Sequence, residues 1–253
     1  MSDRTAAAPR PPLLTIVVPA YNEERRLPSM LDQVIAYLDG QPYTAEVLVV
    51  ENGSSDRTTE VAEGYAARVP YIRVLHSAKG KGAAVRHGML SGSGDYLYIC
   101  DSDLAVPIAE VAKFLPPQLA DFDVAIASRE APGARRIGEP AYRHVMGRVY
   151  NLFAQALVVP GIKDTQCGFK CFSRQAARAI FAVQVMTGWG FDVEVLFIAR
   201  RWGYRVVEVP VEWHYGQDSR VSPIKDSVRM LGELWRVRRN GWHGAYDRPH
   251  QVS

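Results

Sequence analysis

Asp101-Ser102-Asp103 sets two carboxylates two residues apart, directly after the apolar run Tyr96–Cys100. In an extended segment residues i and i+2 project to the same face, so both carboxylates can converge on one hard cation. Magnesium or manganese accepts such oxygen ligands and keeps open positions for the oxygens of a diphosphate. Lys79-Gly80-Lys81-Gly82 is the second chemical element. It reads as a solvated turn or as a flexible cationic loop that approaches a phosphate. No GxxxxGK[ST] occurs, and no G-x-G-x-x-G follows the first apolar run, so neither a Walker A loop nor a dinucleotide fingerprint is present.

The elements around these residues position them. Leu13–Val18, Val47–Val50, Tyr71–Leu75, Tyr96–Cys100 and Phe122–Ala127 read as strands. Helical spacing falls between them, over Arg25–Leu38, Arg57–Ala67 and Gly82–Leu90, with another helix opened by Pro107. Such alternation specifies a mainly parallel sheet with right-handed crossovers. The second half breaks the rhythm. Helices are expected over Pro140–Val159, Arg174–Phe181, Asp192–Trp202 and Ile224–Arg239, and strands over Gly168–Phe172 and Arg205–Val211.

In an open parallel sheet, ligands bind beyond the carboxyl ends of the strands. Those ends carry Pro19-Ala20-Tyr21-Asn22-Glu23-Glu24, Glu51-Asn52-Gly53-Ser54-Ser55-Asp56, His76 through Gly82, and the Asp101–Asp103 pair. Any one of these reads equally well as a helix cap or a turn. Four on one edge make a binding site.

Composition sets the limits. The 253 residues are 47% hydrophobic and 23% charged, and 30 basic against 27 acidic residues leave +3. That charge is too mild to indicate a nucleic-acid binder. Three cysteines, an odd count, argue against a disulfide framework and for a reducing, cytoplasmic setting. Cys167 and Cys171 lack a second Cys/His pair for zinc and read as core residues, as does Cys100. The longest uncharged run, Val149–Ile162, is shorter than the ~18–20 apolar residues of a spanning helix. Residues 1–12 read as a disordered lead-in, 13–240 as one domain, and 241–253 as a tail. The domain divides into halves at 13–128 and 129–240.

Four strings identify a family: VVPAYNEE (Val17–Glu24), VVENGSSDRT (Val49–Thr58), AKGKGAAVRHGM (Ala78–Met89) and the DSD. Here the chain resembles family-two glycosyltransferases of the GT-A fold, an α/β, Rossmann-like architecture with an acceptor-side second half. DTQCGFKCFSR (Asp164–Arg174), GWGFDVEVLF (Gly188–Phe197) and EVPVEW (Glu208–Trp213) are similar to the polyprenyl-phosphate sugar transferases, nearest the dolichyl-phosphate β-glucosyltransferase branch. The mannosyl branch often carries a glutamine where this chain has Ala105. That difference leans toward the glucose branch.

The resemblance implies a UDP-glucose donor, a magnesium or manganese ion and a polyprenyl- or dolichyl-phosphate acceptor, with a β product formed by one in-line displacement. It places Pro19, Ala20, Tyr21 and Glu23 around the uridine. Glu51 and Asp56 fall at the ribose and uracil, in the run with Asn52 and Gly53. Lys79, Gly80, Lys81 and Gly82 lie near the diphosphate. Asp101 and Ser102 adjoin the ribose and metal, and Asp103 is the main metal ligand. An anionic acceptor needs positioning more than a strong base, and guanidinium groups suit that task. Arg129 and Arg220 are the candidates, with a surface ion pair as the alternative for each. Asp164 and Gln166 are candidate sugar or acceptor contacts. Asp192 and Glu194 either contact the sugar or acceptor or cap the helix that follows. The lipid acceptor implies work at the cytoplasmic face of a membrane, with a membrane-protein partner or a second copy as further possibilities. Val228, Leu231, Leu234, Trp235 and Val237, with Arg229, Arg236, Arg238 and Arg239, form a basic amphipathic stripe that would rest on the bilayer or pack on the core. A different donor, a non-lipid acceptor or a non-catalytic nucleotide-sugar binder are the competing readings.

Overall fold

The computed structural model describes residues 11–216 and 223–248. The expected lead-in up to residue 10, and Arg220, lie outside the described residues.

The first half alternates as the sequence requires: β1 (Leu14–Ala20), α1 (Leu27–Asp39), β2 (Ala45–Glu51), α2 (Thr58–Ala66), β3 (Ile72–His76), α3 (Lys81–Ser91), β4 (Tyr96–Ile99) and β5 (Val124–Ser128). β1 is buried along its whole length, as a strand covered on both faces must be. Pro107 opens one 3₁₀ helix, Ile108–Phe114, rather than an α-helix. Pro116 and Pro117 follow closely and cannot donate the backbone bonds that would extend it. The second half adds β6 (Arg135–Ile137), α4 (Ala141–Leu157), β7 (Lys170–Ser173), α5 (Arg174–Val183), α6 (Phe191–Arg201), β8 (Val206–Pro210), β9 (Glu212–His214) and α7 (Pro223–Trp242).

The seven-stranded sheet has the order β3-β2-β1-β4-β7-β5-β8, and β6 pairs with β9 in a small separate sheet. β1 to β4 are parallel; β7 is inserted antiparallel between β4 and β5, and β8 runs parallel to β5. The reversal of β7 brings the segment before it, residues 164–169, to the edge where β1–β5 end. A cluster of apolar side chains covers each face. On one, Val17, Leu48 and Ile99 meet α3, α5, α6 and α7; on the other, Ile16, Val18 and Tyr98 meet α1 and the 3₁₀ helix. Gly88 lets α3 lie directly on the sheet, since a Cβ there would collide with Val17 and Val50.

β6 and β9 have no counterpart in the sequence reading. Three residues each, Arg-Arg-Ile and Glu-Trp-His, are too short to show a period. The stripe on α7 divides between two faces: Leu234 and Val237 are buried in the core, whereas Leu231 and Trp235 are exposed. Val228 lies outside the described side chains. Within residues 241–248 the chain stays packed, because Tyr246 is fully buried against Phe197.

Candidate functional site

The loops after β1 and β2 are stitched together. Asn22 takes a left-handed conformation (φ 53°), which asparagine tolerates. There its N–H donates to Ser54 Oγ (3.0 Å), and its Oδ1 accepts from Ser55 N (2.8 Å). Asp56 accepts from Thr58 N (3.0 Å) through Oδ1 and from Glu24 N (3.2 Å) through Oδ2. Its carboxylate therefore caps the first turn of α2 and holds the β1 loop. Glu23 is nearly buried, bonded through both oxygens to Arg26 (2.7 and 3.1 Å). Glu51 accepts from Ser54 N and approaches His76 Nδ1 (3.4 Å). Burial alone would raise the Glu51 carboxyl; donors from Ser54, His76 and Gly53 bring it below its ordinary value. Pro19 and Ala20 are buried in β1, and Ala20 O accepts from Asn52 N (3.1 Å). Gly53 (φ 85°) faces open space. Lys79 Nζ stands 5.0 Å from the Tyr21 ring centroid, so the β3 loop meets the β1 loop.

The Lys79–Gly82 loop is pinned rather than free. Gly80 (φ 129°) and Gly82 press against residues 186–188, where a Cβ on either would strike a backbone carbonyl. Ala83 N donates to Thr187 O (3.2 Å), and Gln184 Nε2 donates to Gly82 O (3.1 Å). This holds Lys81 Nζ 2.8 and 3.0 Å from the two carboxylate oxygens of Asp101 and 4.9 Å from the Trp189 ring centroid. Loss of water would lower the Lys81 ammonium, but Asp101 and Asp192 hold it well above its ordinary value.

Asp101 packs so closely on Gly168 that a Cβ there would enter its carboxylate. Asp101 Oδ1 is buried and accepts no hydrogen bond of good geometry, although Lys81 lies beside it. Asp103 is exposed at the rim, with Oδ1 accepting from Ala105 N (3.1 Å). Protein atoms displace water around its carboxyl, and with the Asp101 charge they push it above its ordinary value. A cavity of about 190 Å³ opens beside Asp103 and Ser102, lined also by Arg25, Arg26 and Ser29. Among the described residues no cluster of three or more His, Cys, Asp and Glu forms a metal cage. Two neighbouring carboxylates, Asp103 at the rim and Asp101 beside Lys81, nevertheless supply the hard oxygen donors that fit a cation completed by diphosphate oxygens and water.

Across the edge, Arg129 follows β5. Its Nε and Nη2 donate to Asp164 (2.8 and 2.9 Å), and its guanidinium carbon lies 5.1 Å from the Trp213 ring centroid. Burial alone would raise the Asp164 carboxyl; Arg129 brings it down to about 2. Gln166 N donates to Asp164 Oδ1 (3.3 Å). The pair is thus a buried one, with Nη1 outside it, rather than a surface salt bridge.

Asp192 is buried and accepts from Lys170 Nζ (2.5 Å), which also donates to Cys167 O (2.7 Å). Burial raises the Asp192 carboxyl, offset in part by Lys170 and then Lys81. Glu194 accepts from Val185 N (2.9 Å), Met186 N (2.9 Å) and the Tyr246 hydroxyl (2.8 Å). Both carboxylates lie in the first turn of α6, where the helix N-terminus favours negative charge, while the N-cap itself is Gly190. Asp192 counters Lys170 beneath the site; Glu194 fixes the 185–186 loop to the C-terminal segment.

The structure therefore gathers Tyr21, Lys79, Lys81, Asp101, Asp103, Asp164 and Arg129 on one edge, while Asp56 and Glu194 face protein partners. Lys170 and Trp189 were missed. A lysine within the apolar strand Gly168–Phe172 was the available signal, since a buried ammonium demands a buried carboxylate.

A sequence profile described as Glycosyl transferase family 2 matches residues 15–181. A dolichyl-phosphate β-glucosyltransferase of Trichomonas vaginalis is 37% identical over 247 residues, 92% of this chain and 73% of that protein. The dolichyl-phosphate β-glucosyltransferase of Homo sapiens is 34% identical over 249 residues, 92% of this chain and 77% of that protein. The glucosyl-3-phosphoglycerate synthase of Mycobacterium tuberculosis, solved with Mn²⁺, UDP and phosphoglyceric acid, superposes with a TM-score of 0.65 at 20% identity. That match covers 95% of this chain and 80% of the other. It shares the GT-A-like fold.

Proposed function

This chain belongs to glycosyl transferase family 2, and we propose that it moves glucose from UDP-glucose to a polyprenyl or dolichyl phosphate, inverting the anomeric carbon. The Asp101–Asp103 pair carries this reading, with Asp101 held by Lys81 at the edge where the loops after β1, β2, β3 and β4 meet. Glucose and the lipid phosphate are supported by the names of relatives at 37% and 34% identity, and by Ala105. UDP and a divalent metal are supported by the fold's likeness to a synthase solved with both.

The loops after β1 and β2 receive the uridine, with Tyr21 and Lys79 side by side. Lys81 sits where diphosphate charge arrives. It is held by Asp101 and needs no reorganisation at the moment of reaction. Asp101 and Asp103 would hold the divalent cation, which supplies charge neutralisation to the departing UDP. Arg129, anchored by Asp164 and stacked over Trp213, offers Nη1 to the acceptor phosphate. The acceptor oxygen is already anionic, so positioning it in line with the anomeric carbon does the work that a strong base would otherwise do. No helix among the described residues is long and apolar enough to cross a membrane. The reading therefore places this chain against the cytoplasmic face of a bilayer, where it meets its acceptor, alone, with a second copy or with a membrane-protein partner.

The test pairs binding with turnover. Titration calorimetry in Mg²⁺ should give tighter binding of UDP than of GDP, weakened by EDTA, and Asp103→Ala should lower transfer about 100-fold or more. Tighter GDP binding would overturn the donor. Wild-type turnover in Asp103→Ala would overturn the metal assignment.

A further inference from the structure

After α7 the chain returns over the end of α6. Tyr246 O accepts from Trp202 Nε1 (2.8 Å), and Asp247 meets Arg201 (2.7 Å). These bonds carry the Tyr246 side chain into the core against Phe197, with its hydroxyl between two polar groups. Asn240 Nδ2 donates to the hydroxyl oxygen (3.1 Å), which leaves the hydroxyl proton for Glu194 Oε1 (2.8 Å). Phenylalanine would fill the same space, so the hydroxyl serves Glu194 and Asn240 rather than packing.

Glu194 passes the contact on. It is fully buried, and its other donors are the N–H groups of Val185 and Met186 (both 2.9 Å). One carboxylate thus ties the C-terminal segment to the chain between α5 and α6. Burial pushes the Glu194 carboxyl up; Val185 N–H, the Tyr246 hydroxyl and Met186 N–H hold it back in part. Each donor removed makes the charged form harder to keep. The next link is backbone. Gln184 Nε2 donates to Met186 O (2.7 Å) and to Gly82 O (3.1 Å), and Ala83 N donates to Thr187 O (3.2 Å). Gly80 and Gly82 put no side chain between the two segments, so a shift at 185–187 reaches Lys81 with little to absorb it. Lys81 Nζ must keep its place between Asp101 and the Trp189 ring.

We infer that the Tyr246 hydroxyl, acting through Glu194 and residues 184–187, is a positioning group for Lys81, and so sets how tightly the site holds a nucleoside diphosphate. The inference rests on Lys81 as a diphosphate contact, as proposed above.

The experiment is titration calorimetry of the full chain with UDP in Mg²⁺. Lys81→Ala should raise the UDP dissociation constant about tenfold or more. Tyr246→Phe should raise it about three- to tenfold, and Asn240→Ala about twofold. In the Lys81→Ala background Tyr246→Phe should add less than about twofold, because its effect runs through the missing ammonium. Tyr65→Phe is the control. It loses a hydroxyl bond to Asp32 (2.6 Å) on another face of the fold, and should bind UDP as the wild type does. Wild-type affinity in both Tyr246→Phe and Asn240→Ala, with Lys81→Ala weakened, would overturn the inference and leave the donor reading standing. So would an equal effect of Tyr246→Phe with and without Lys81, or a matching loss in Tyr65→Phe, since the hydroxyl then acts on the fold alone. Wild-type affinity in Lys81→Ala would overturn the diphosphate reading of Lys81 and the inference with it.

Discussion

Lys170→Met should destabilise the protein in a manner that depends on pH. Lys170 is fully buried and gives its ammonium to Asp192 and to the Cys167 carbonyl. Without it, Asp192 is left buried and unpaired, and the cheapest escape is to protonate it. An unfolded aspartate has a pKa near 3.9, so keeping a proton on it at pH 7 costs about 4 kcal/mol. The unbonded Cys167 carbonyl adds about 1 kcal/mol at every pH. The sum of about 5 kcal/mol lies at the upper end of the cost of breaking buried ion pairs. In a chain of 253 residues it should lower the melting temperature by roughly 10–20 °C. The sign follows from proton counting. In the variant the folded state keeps a proton that the unfolded state releases above about pH 4, so stability falls as pH rises, by about 1.4 kcal/mol per unit. Urea unfolding should therefore show a deficit near 5 kcal/mol at pH 7 and only about 2–3 kcal/mol at pH 5. Lys170→Met/Asp192→Leu should recover most of the loss, because it removes both charges. An equal deficit at both pH values, or a double variant no better than the single, would show that Lys170 does not compensate the Asp192 charge.

Gly168→Ala should damage the site more than the fold. Its Cβ would enter the Asp101 carboxylate, so kcat/KM is expected to fall tenfold or more, about the effect of a misplacement below 1 Å, with melting changed by a few degrees. Unchanged kinetics would show that Asp101 need not stay where it is. Asp164 should govern part of the acid limb of stability. Its folded pKa of about 2 lies below the unfolded value, so its contribution is present above about pH 4 and is lost as pH falls through 2. That contribution is roughly 2–3 kcal/mol. Unfolding measured from pH 5 to pH 2 should show it in the wild type and not in Asp164→Asn.

The first half of the chain was legible because each strand is an apolar run that ends in polar residues, and parallel pairing sends those ends to one edge. In the second half the sequence shows elements but not their arrangement. Nothing in Lys170–Ser173 announces that the strand reverses direction, yet that reversal puts Gly168 beside Asp101. Spacing located Asp101–Asp103 but could not show that Lys81 already pairs with Asp101. That contact depends on Gly80 and Gly82 packing on a segment more than 100 residues away in sequence. Asp56 and Glu194 show the opposite limit. Their residue types suit ligands, but backbone N–H groups nearby in space take their oxygens. The helix expected over Pro140–Val159 is present as α4, but its exposed apolar stripe becomes visible only with the helix placed and Asn151 turned inward.

Inverting glucosyl transfer to a lipid phosphate leaves its signature in the anomeric configuration of the product. The purified protein is incubated with UDP-glucose, Mg²⁺ and a short, water-soluble polyprenyl phosphate, and the product's anomeric proton is read by NMR. The expected product is a glucosyl phosphate with the large coupling of a β linkage, absent when EDTA is added. An α-linked product, or no product while GDP-mannose reacts with the same acceptor, would contradict it.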